Sequence, residues 1–290
     1  MSDAYPVFDA NPCTLGEGPT FDPDSNTVWW FDIIDRKLFE RRLETGATTT
    51  HALPVMGSAL AVIDAERQLL VCEDGLYIRV VADGALSLHT PLEADDKTTR
   101  SNDSRVHPCG AFWIGTMGKQ GEPAAGSIYH YFRGEMRRIF TGITVSNAIC
   151  FSADGATGYF SDTATGQIMR VDLDAATGLP SSEPVVFIDR RDDVAGSPDG
   201  AVVDADGLLW NARWGGGCVA GFDATGQCFE IIGLPVANVT CPAFIGGGRM
   251  IATSAISGLD TQELAGQPLA GQTFLLDRRF KTRYEPKLIL

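Results

Sequence analysis

Short apolar runs alternate along the whole chain with clusters of Gly, Asp, Asn and Pro, and no long stretch carries the period of an amphipathic helix. This pattern predicts an all-β chain. One unit recurs: a short apolar strand, a polar turn, then a strand of aromatic or β-branched residues. Asn147-Ala-Ile-Cys-Phe-Ser-Ala-Asp-Gly155 leads to Gly158-Tyr-Phe-Ser-Asp162, and Asp199-Gly-Ala-Val-Val-Asp-Ala-Asp-Gly207 leads to Leu208-Leu-Trp-Asn-Ala212. Further copies begin at Glu17, Ala59, Asn102 and Cys241. Several continue into a third strand, such as Ser127-Ile-Tyr-His-Tyr131 or Gln167-Ile-Met-Arg-Val171. About six copies at a period of roughly 40–50 residues predict a six-bladed β-propeller. No linker interrupts them, so residues 1–290 are expected to form a single domain. A propeller ring closes when the last sheet borrows a strand from the other terminus. Tyr5-Pro-Val-Phe8 and the segment Tyr284 to Leu290 both qualify, and the tail from Gly271 to Leu290 reads as strand.

Aligning the copies on their first turn isolates one phase. About five residues before the residue heading that turn stand Glu17, Ala59, Asn102, Asn147, Asp199 and Cys241. In a propeller this phase begins the innermost strand of each blade and faces one mouth of the central channel. Four of these side chains carry oxygen donors suited to a hard cation. A buried strand would favour Val, Ile or Ala there; a solvated mouth would also tolerate polar residues. Glycines flank Glu17 and would let backbone approach an ion closely. Arg100, two residues before Asn102, offers a planar donor fork for a carbonyl, carboxylate or polyol.

Charge and composition narrow the partners. A net charge of −14 repels phosphate backbones and anionic membranes, so neither nucleic acid nor a membrane is expected. No apolar run reaches the roughly 18 residues needed to span a bilayer, and the N-terminus lacks a basic start and an apolar core, so a cytoplasmic location is expected. Seven cysteines without a CxxC pair argue against a zinc ribbon and a disulfide framework and read as reduced thiols. There is no GxSxG elbow, HExxH helix or P-loop. The four histidines, His51, His89, His107 and His130, miss the recurrent phase and read as turn or surface residues.

The motifs Leu15-Gly-Glu-Gly-Pro19, Arg100-Ser-Asn-Asp103, Gly115-Thr-Met117, Ser146-Asn147, Ser197-Pro-Asp-Gly200 and Asn238-Val-Thr-Cys-Pro242 lie in order along nearly the whole chain. Together they resemble the family of senescence marker protein-30, regucalcin and the bacterial gluconolactonases. The resemblance implies a six-bladed propeller with one catalytic divalent metal held by Glu17, Asn147 and Asp199. It implies substrate contacts from Arg100 and Asn102, and hydrolysis of an aldonolactone to the aldonic acid, with Asp199 as general base or proton shuttle. A divalent ion can polarise a lactone carbonyl and activate water. The sequence leaves Ca, Mg, Mn, Zn and Fe undistinguished. The partner is expected to be a small-molecule sugar lactone, and the protein a monomer or weak homo-oligomer.

Two departures stand out. Ala148 occupies a position that is often Gly in the family, a change expected to spare the ligand Asn147. Where vertebrate members carry an acidic lid, this chain reads Gly118-Lys-Gln-Gly-Glu122. Gln120, in the place of the acid, is the lid's substrate-binding candidate; Lys119 reads first as a solvated lid residue and, as a sharper alternative, as a sign of an anionic lactone such as a uronic or sulfonated one. Two other readings compete: a non-enzymatic, calcium-binding regulatory propeller, and a propeller of the strictosidine-synthase type without metal carboxylates.

Overall fold

Each recurrent unit folds as a four-stranded antiparallel meander. The computed structural model describes residues 6–189, 194–276 and 278–290. Blade 1 spans residues 16–52 through strands Gly16–Asp22, Thr27–Asp32, Lys37–Arg42 and Thr48–Ala52. Blades 2 to 5 span residues 57–91, 99–143, 146–188 and 197–233, and blade 6 is built on residues 239–276. Innermost strands of successive blades pack together, and that of blade 6 packs on that of blade 1. The ring is a six-bladed β-propeller.

Burial falls from the axis outward. The innermost strand of blade 4, Ser146–Phe151, is buried throughout, whereas outermost strands such as Thr48–Ala52 and Cys228–Gly233 are half-buried to exposed. Apolar runs mark only strands covered on both faces, which is why the sequence pattern showed three strands per copy and missed the fourth. Trp30, Trp113 and Trp210, each on a second strand, fill the space between blades. The acidic turns stabilise themselves. Asp204 accepts bonds from the amides of Asp206 at 2.9 Å and Leu208 at 3.0 Å, and from Trp210 Nε1 at 3.0 Å, so one carboxylate fixes both turn and core.

The N-terminus closes the ring. Val7–Asp9 pairs with Thr273–Leu276, with Val7 opposite Phe274 and Asp9 opposite Thr273; Tyr5 lies outside the described residues. The C-terminal tail departs from the expectation of strand. After Thr273–Leu276, residues 278–290 form none and cross the channel mouth at the far ends of the innermost strands. Their polar groups bond to different blades, so they cannot follow one edge. Leu288 donates to Val62 O at 2.8 Å, Ile289 to Gly110 O at 3.0 Å and Arg283 Nη2 to Phe151 O at 2.5 Å. Glu285 pairs with Arg105, which rises from blade 3 into the channel and is 3.9 Å from Asp103.

The histidines correct the sequence reading in part. His107 and His130 are buried, and their Nε2 atoms lie 2.8 Å from Gly155 O and Thr177 O respectively. Burial pushes both imidazoles below their ordinary value, so they serve as neutral donors that tie blades together. All seven cysteines are free thiols.

Removing Glu285 strands the buried Arg105 guanidinium beside Asp103. Glu285→Gln should destabilise the protein by about 2–3 kcal/mol in urea unfolding, below the full loss for a dry pair because Glu285 is partly wet. A loss under about 0.5 kcal/mol would mean that solvent already screens the pair.

Candidate metal centre at the channel mouth

Every innermost strand is interrupted by a β-bulge near the phase picked out by the repeat. The register shifts between Glu17 and Thr20, Gly57 and Ala59, Ser101 and Ser104, Asn147 and Cys150, Pro198 and Ala201, and Val239 and Pro242. A bulge inserts an extra residue and re-aims side chains. Gly18 adopts φ 56°, and a Cβ there would sit 2.1 Å from Ser58 O, so only glycine lets blade 2 approach Glu17. Ala148 holds the equivalent left-handed conformation at φ 54° with its methyl buried, a strain of about 1–2 kcal/mol that the surrounding core sustains.

The bulges gather Glu17, Arg100, Asn102, Asn147 and Asp199, all buried. Asn147 is clamped by its amide: Nδ2 donates to Thr163 Oγ1 at 2.8 Å, and Oδ1 accepts from Asn102 Nδ2 at 3.1 Å. Thr163 Oγ1 in turn donates to Pro198 O at 2.8 Å, tying blade 4 to the strand that carries Asp199. Asn102 also donates to Ser146 O at 2.8 Å and accepts from Arg100 Nη1 at 2.7 Å. Its amide is therefore engaged within the protein, orienting Asn147 and Arg100. The guanidinium of Arg100 also bonds Ser101 O through Nη1, at 2.9 Å; among the described hydrogen bonds Nε and Nη2 are uncommitted.

Asp199 is positioned from behind. Asn211 Nδ2 donates to Asp199 O at 2.7 Å and Gly200 O at 3.1 Å, and Arg213 Nη1 holds Asn211 Oδ1 at 3.1 Å. The same guanidinium reaches Gly196 O at 2.9 Å, fixing the approach to this strand. Asn211 and Arg213 were not singled out in the sequence; polar residues inside an otherwise apolar second strand were the available signal. Nor were Ser58 and Thr240, each one residue before the apolar Ala59 and Cys241. Ser58 Oγ bonds Asn102 O at 2.8 Å and Thr240 Oγ1 bonds Gly16 O at 2.5 Å, so blades 2 and 6 brace the site rather than furnish it.

Electrostatics mark the mouth as short of positive charge. Burial, with Asp103 nearby, pushes the Glu17 carboxyl up to about 8. Burial and the charge of Glu17 hold Asp199 well above the carboxylate range. Burial likewise pushes Asp103 up to about 6 and Arg100 down to about 10. Asp199 Oδ1 is buried without a hydrogen-bond partner. An orphaned carboxylate oxygen beside a second buried carboxylate fits a cation. Among the described residues no three of His, Cys, Asp and Glu gather as a ligand set, so the third donor to join Glu17 and Asp199 would be the Asn147 amide oxygen. Two carboxylates and an amide suit a hard divalent ion. The lid residues lie further out: Gln120 is exposed, with its backbone amide on Glu122 Oε2 at 3.0 Å, and Lys119 is half-buried.

This architecture and site meet in one family. The chain belongs to the SMP-30/gluconolactonase/LRE-like family, whose model matches residues 15–256. A Rhizobium meliloti protein provisionally named sugar lactone lactonase is 48% identical over 94% of this chain and 92% of its own. An L-arabinolactonase from Azospirillum brasilense is 32% identical over 92% and 89%. The crystal structure of a calcium-binding protein, regucalcin, from Agrobacterium tumefaciens superposes with a TM-score of 0.96 at 49% identity, covering 99% of this chain and 98% of that one. Lactonases are hydrolases, so the enzyme class expected from the sequence is borne out.

Two outcomes follow. Between the ordinary glutamate value of 4.5 and about 8, the cation-free folded chain keeps a proton on Glu17 that the unfolded chain releases. Stability of chelator-treated protein should therefore fall as pH rises through this window, and added divalent ion should raise Tm more near pH 8 than near pH 5. A metal-induced Tm shift that is equal at both pH values would count against this pairing. Gly18→Ala should cost about 3 kcal/mol or more, because the clash is with backbone, and should abolish the metal-induced shift in any protein that still folds.

Proposed function

We propose that this chain is a metal-dependent sugar lactonase that hydrolyses an aldonolactone of the gluconolactone type to its aldonic acid. The observation that carries the reading is the unpartnered, buried Asp199 Oδ1 facing a second carboxylate, Glu17, at the mouth that Arg100 also lines. Glu17, Asn147 and Asp199 would hold the ion, which supplies Lewis-acid polarisation of the carbonyl and lowers the pKa of water. Arg100, through its uncommitted nitrogens, would hold the sugar hydroxyls. Asn102 would keep Arg100 and Asn147 in place, with substrate contact through its remaining acceptor capacity. Gln120 would meet the substrate only from the outer lid.

Asp199 takes a proton from water as its oxygen bonds to the carbonyl carbon. When the ring C–O bond breaks, the same proton passes to the leaving ring oxygen, so no net proton is consumed before the acid ionises. Desolvation holds the Asp199 carboxyl high, so it would act as a base only with a cation's charge beside it to favour the ionised form. A lactone is already activated by its ring, so modest electrostatic help suffices.

Acid release from gluconolactone should require a divalent ion, be lost with chelator and return with one or more of Ca, Mg, Mn, Zn and Fe. Asp199→Asn should lower kcat by about 10²–10⁴-fold. Divalent binding without turnover on any aldonolactone would leave a calcium-binding regulatory propeller in its place; failure to bind any divalent ion would refute the site itself.

A further inference from the structure

The lid carries a second, separately built feature. Lys119 directly follows the strand Phe112–Gly118, in which Met117 pairs with Arg100 and Gly118 with Thr99. Its amide donates to Thr98 O at 2.7 Å. The side chain crosses to blade 2, where Nζ lies 2.5 Å from Glu73 Oε2, and both side chains are largely covered, 25% and 15% exposed. Glu73 is itself anchored. Its amide donates to Met56 O at 2.9 Å and its Oε1 accepts from Met56 N at 3.1 Å, one residue before the innermost strand of blade 2. Burial raises the Glu73 carboxyl, but the Lys119 hydrogen bond and the Met56 amide outweigh it and hold the group below its ordinary value. Glu73 also lies near enough to act on Arg100. The pair therefore bridges blades 2 and 3 over the side of the mouth where Arg100 stands.

An isolated lysine at this lid would welcome an anion. This one is already neutralised by a carboxylate that the Met56 amide holds in place. A carboxylate or sulfonate on the substrate's exocyclic arm would have to compete with Glu73 for Lys119 and then sit beside a like charge. We propose that the Glu73–Lys119 pair sets the charge class of the substrate, selecting a neutral aldonolactone over one with an anionic exocyclic arm. The inference rests on the lactonase reading, deepens it, and reverses the sharper alternative drawn from Lys119 in the sequence alone.

The test compares gluconolactone with glucarolactone, which carries a carboxylate in place of the terminal hydroxymethyl group, using the metal-loaded protein. The readout is the ratio of kcat/KM for the anionic to the neutral lactone. The unsubstituted protein should favour gluconolactone. Glu73→Gln frees the lysine and should raise the ratio about tenfold, the effect of one modest charge contact. Glu73→Gln combined with Lys119→Gln restores local neutrality and should return the ratio to within about twofold of the starting value. A ratio unmoved by Glu73→Gln overturns the proposal. So does a ratio that collapses in the double variant, because Lys119 would then already be serving anions; this arm decides even if the single variant folds poorly. A protein that prefers glucarolactone from the start overturns the proposal and leaves the lactonase standing. One that hydrolyses neither lactone, nor any other aldonolactone, overturns both.

Discussion

Glu17 and Asp199 are brought to one desolvated mouth from blades 1 and 5, and two like charges at that depth cannot both ionise unaided. Much of the surrounding structure holds this arrangement against its own repulsion. The Asn211–Arg213 bonds fix the backbone of Asp199, and Thr163 ties that strand to Asn147. Thr240 closes the gap from blade 6 to blade 1. The bulges make the convergence possible, because a regular pleat would alternate these side chains between the two faces of each blade.

Further charged groups line the axis below. Below the two carboxylates lies Asp103, which accepts from the Ile149 amide at 2.7 Å; below it come Arg105 and, from the tail, Glu285. Arg105 further donates to Ala201 O at 3.2 Å and Ile149 O at 3.3 Å. The end of the channel opposite Glu17 and Asp199 is thus filled by a hydrogen-bonded guanidinium. A guanidinium suits this place because its fork satisfies several blades at once.

The blade repeat was legible because inner strands, buried on both faces, read as apolar runs between acidic turns. The outermost strands were not, because solvent on one face dilutes their pattern to that of Thr48–Ala52 or Cys228–Gly233. Glu17, Asn102, Asn147 and Asp199 stood out because oxygen-bearing side chains recurred where a core position would be apolar, and the family resemblance singled out Glu17, Asn147 and Asp199 as the metal set. The phase stopped one residue short at Ser58 and Thr240, since the bulges shift register between blades and a fixed count from the turn cannot follow them. The ion pair of Lys119 was hidden for a different reason. Its partner Glu73 lies on another blade, 46 positions away by subtraction of their numbers, and no local pattern announces a contact of that kind.

Ring closure by Val7–Asp9 also orders events during synthesis. Val7–Asp9 is synthesised long before its partner Thr273–Leu276. Until then that segment has no strand to pair with. The mouth shared by Glu17, Asn147 and Asp199 draws on blades 1, 4 and 5, so its parts exist before the ring is sealed but are held in register only afterwards. The seam joining the two termini is in this sense the final checkpoint of assembly: a truncated chain carries every proposed ligand and still lacks the closed frame that makes them a site.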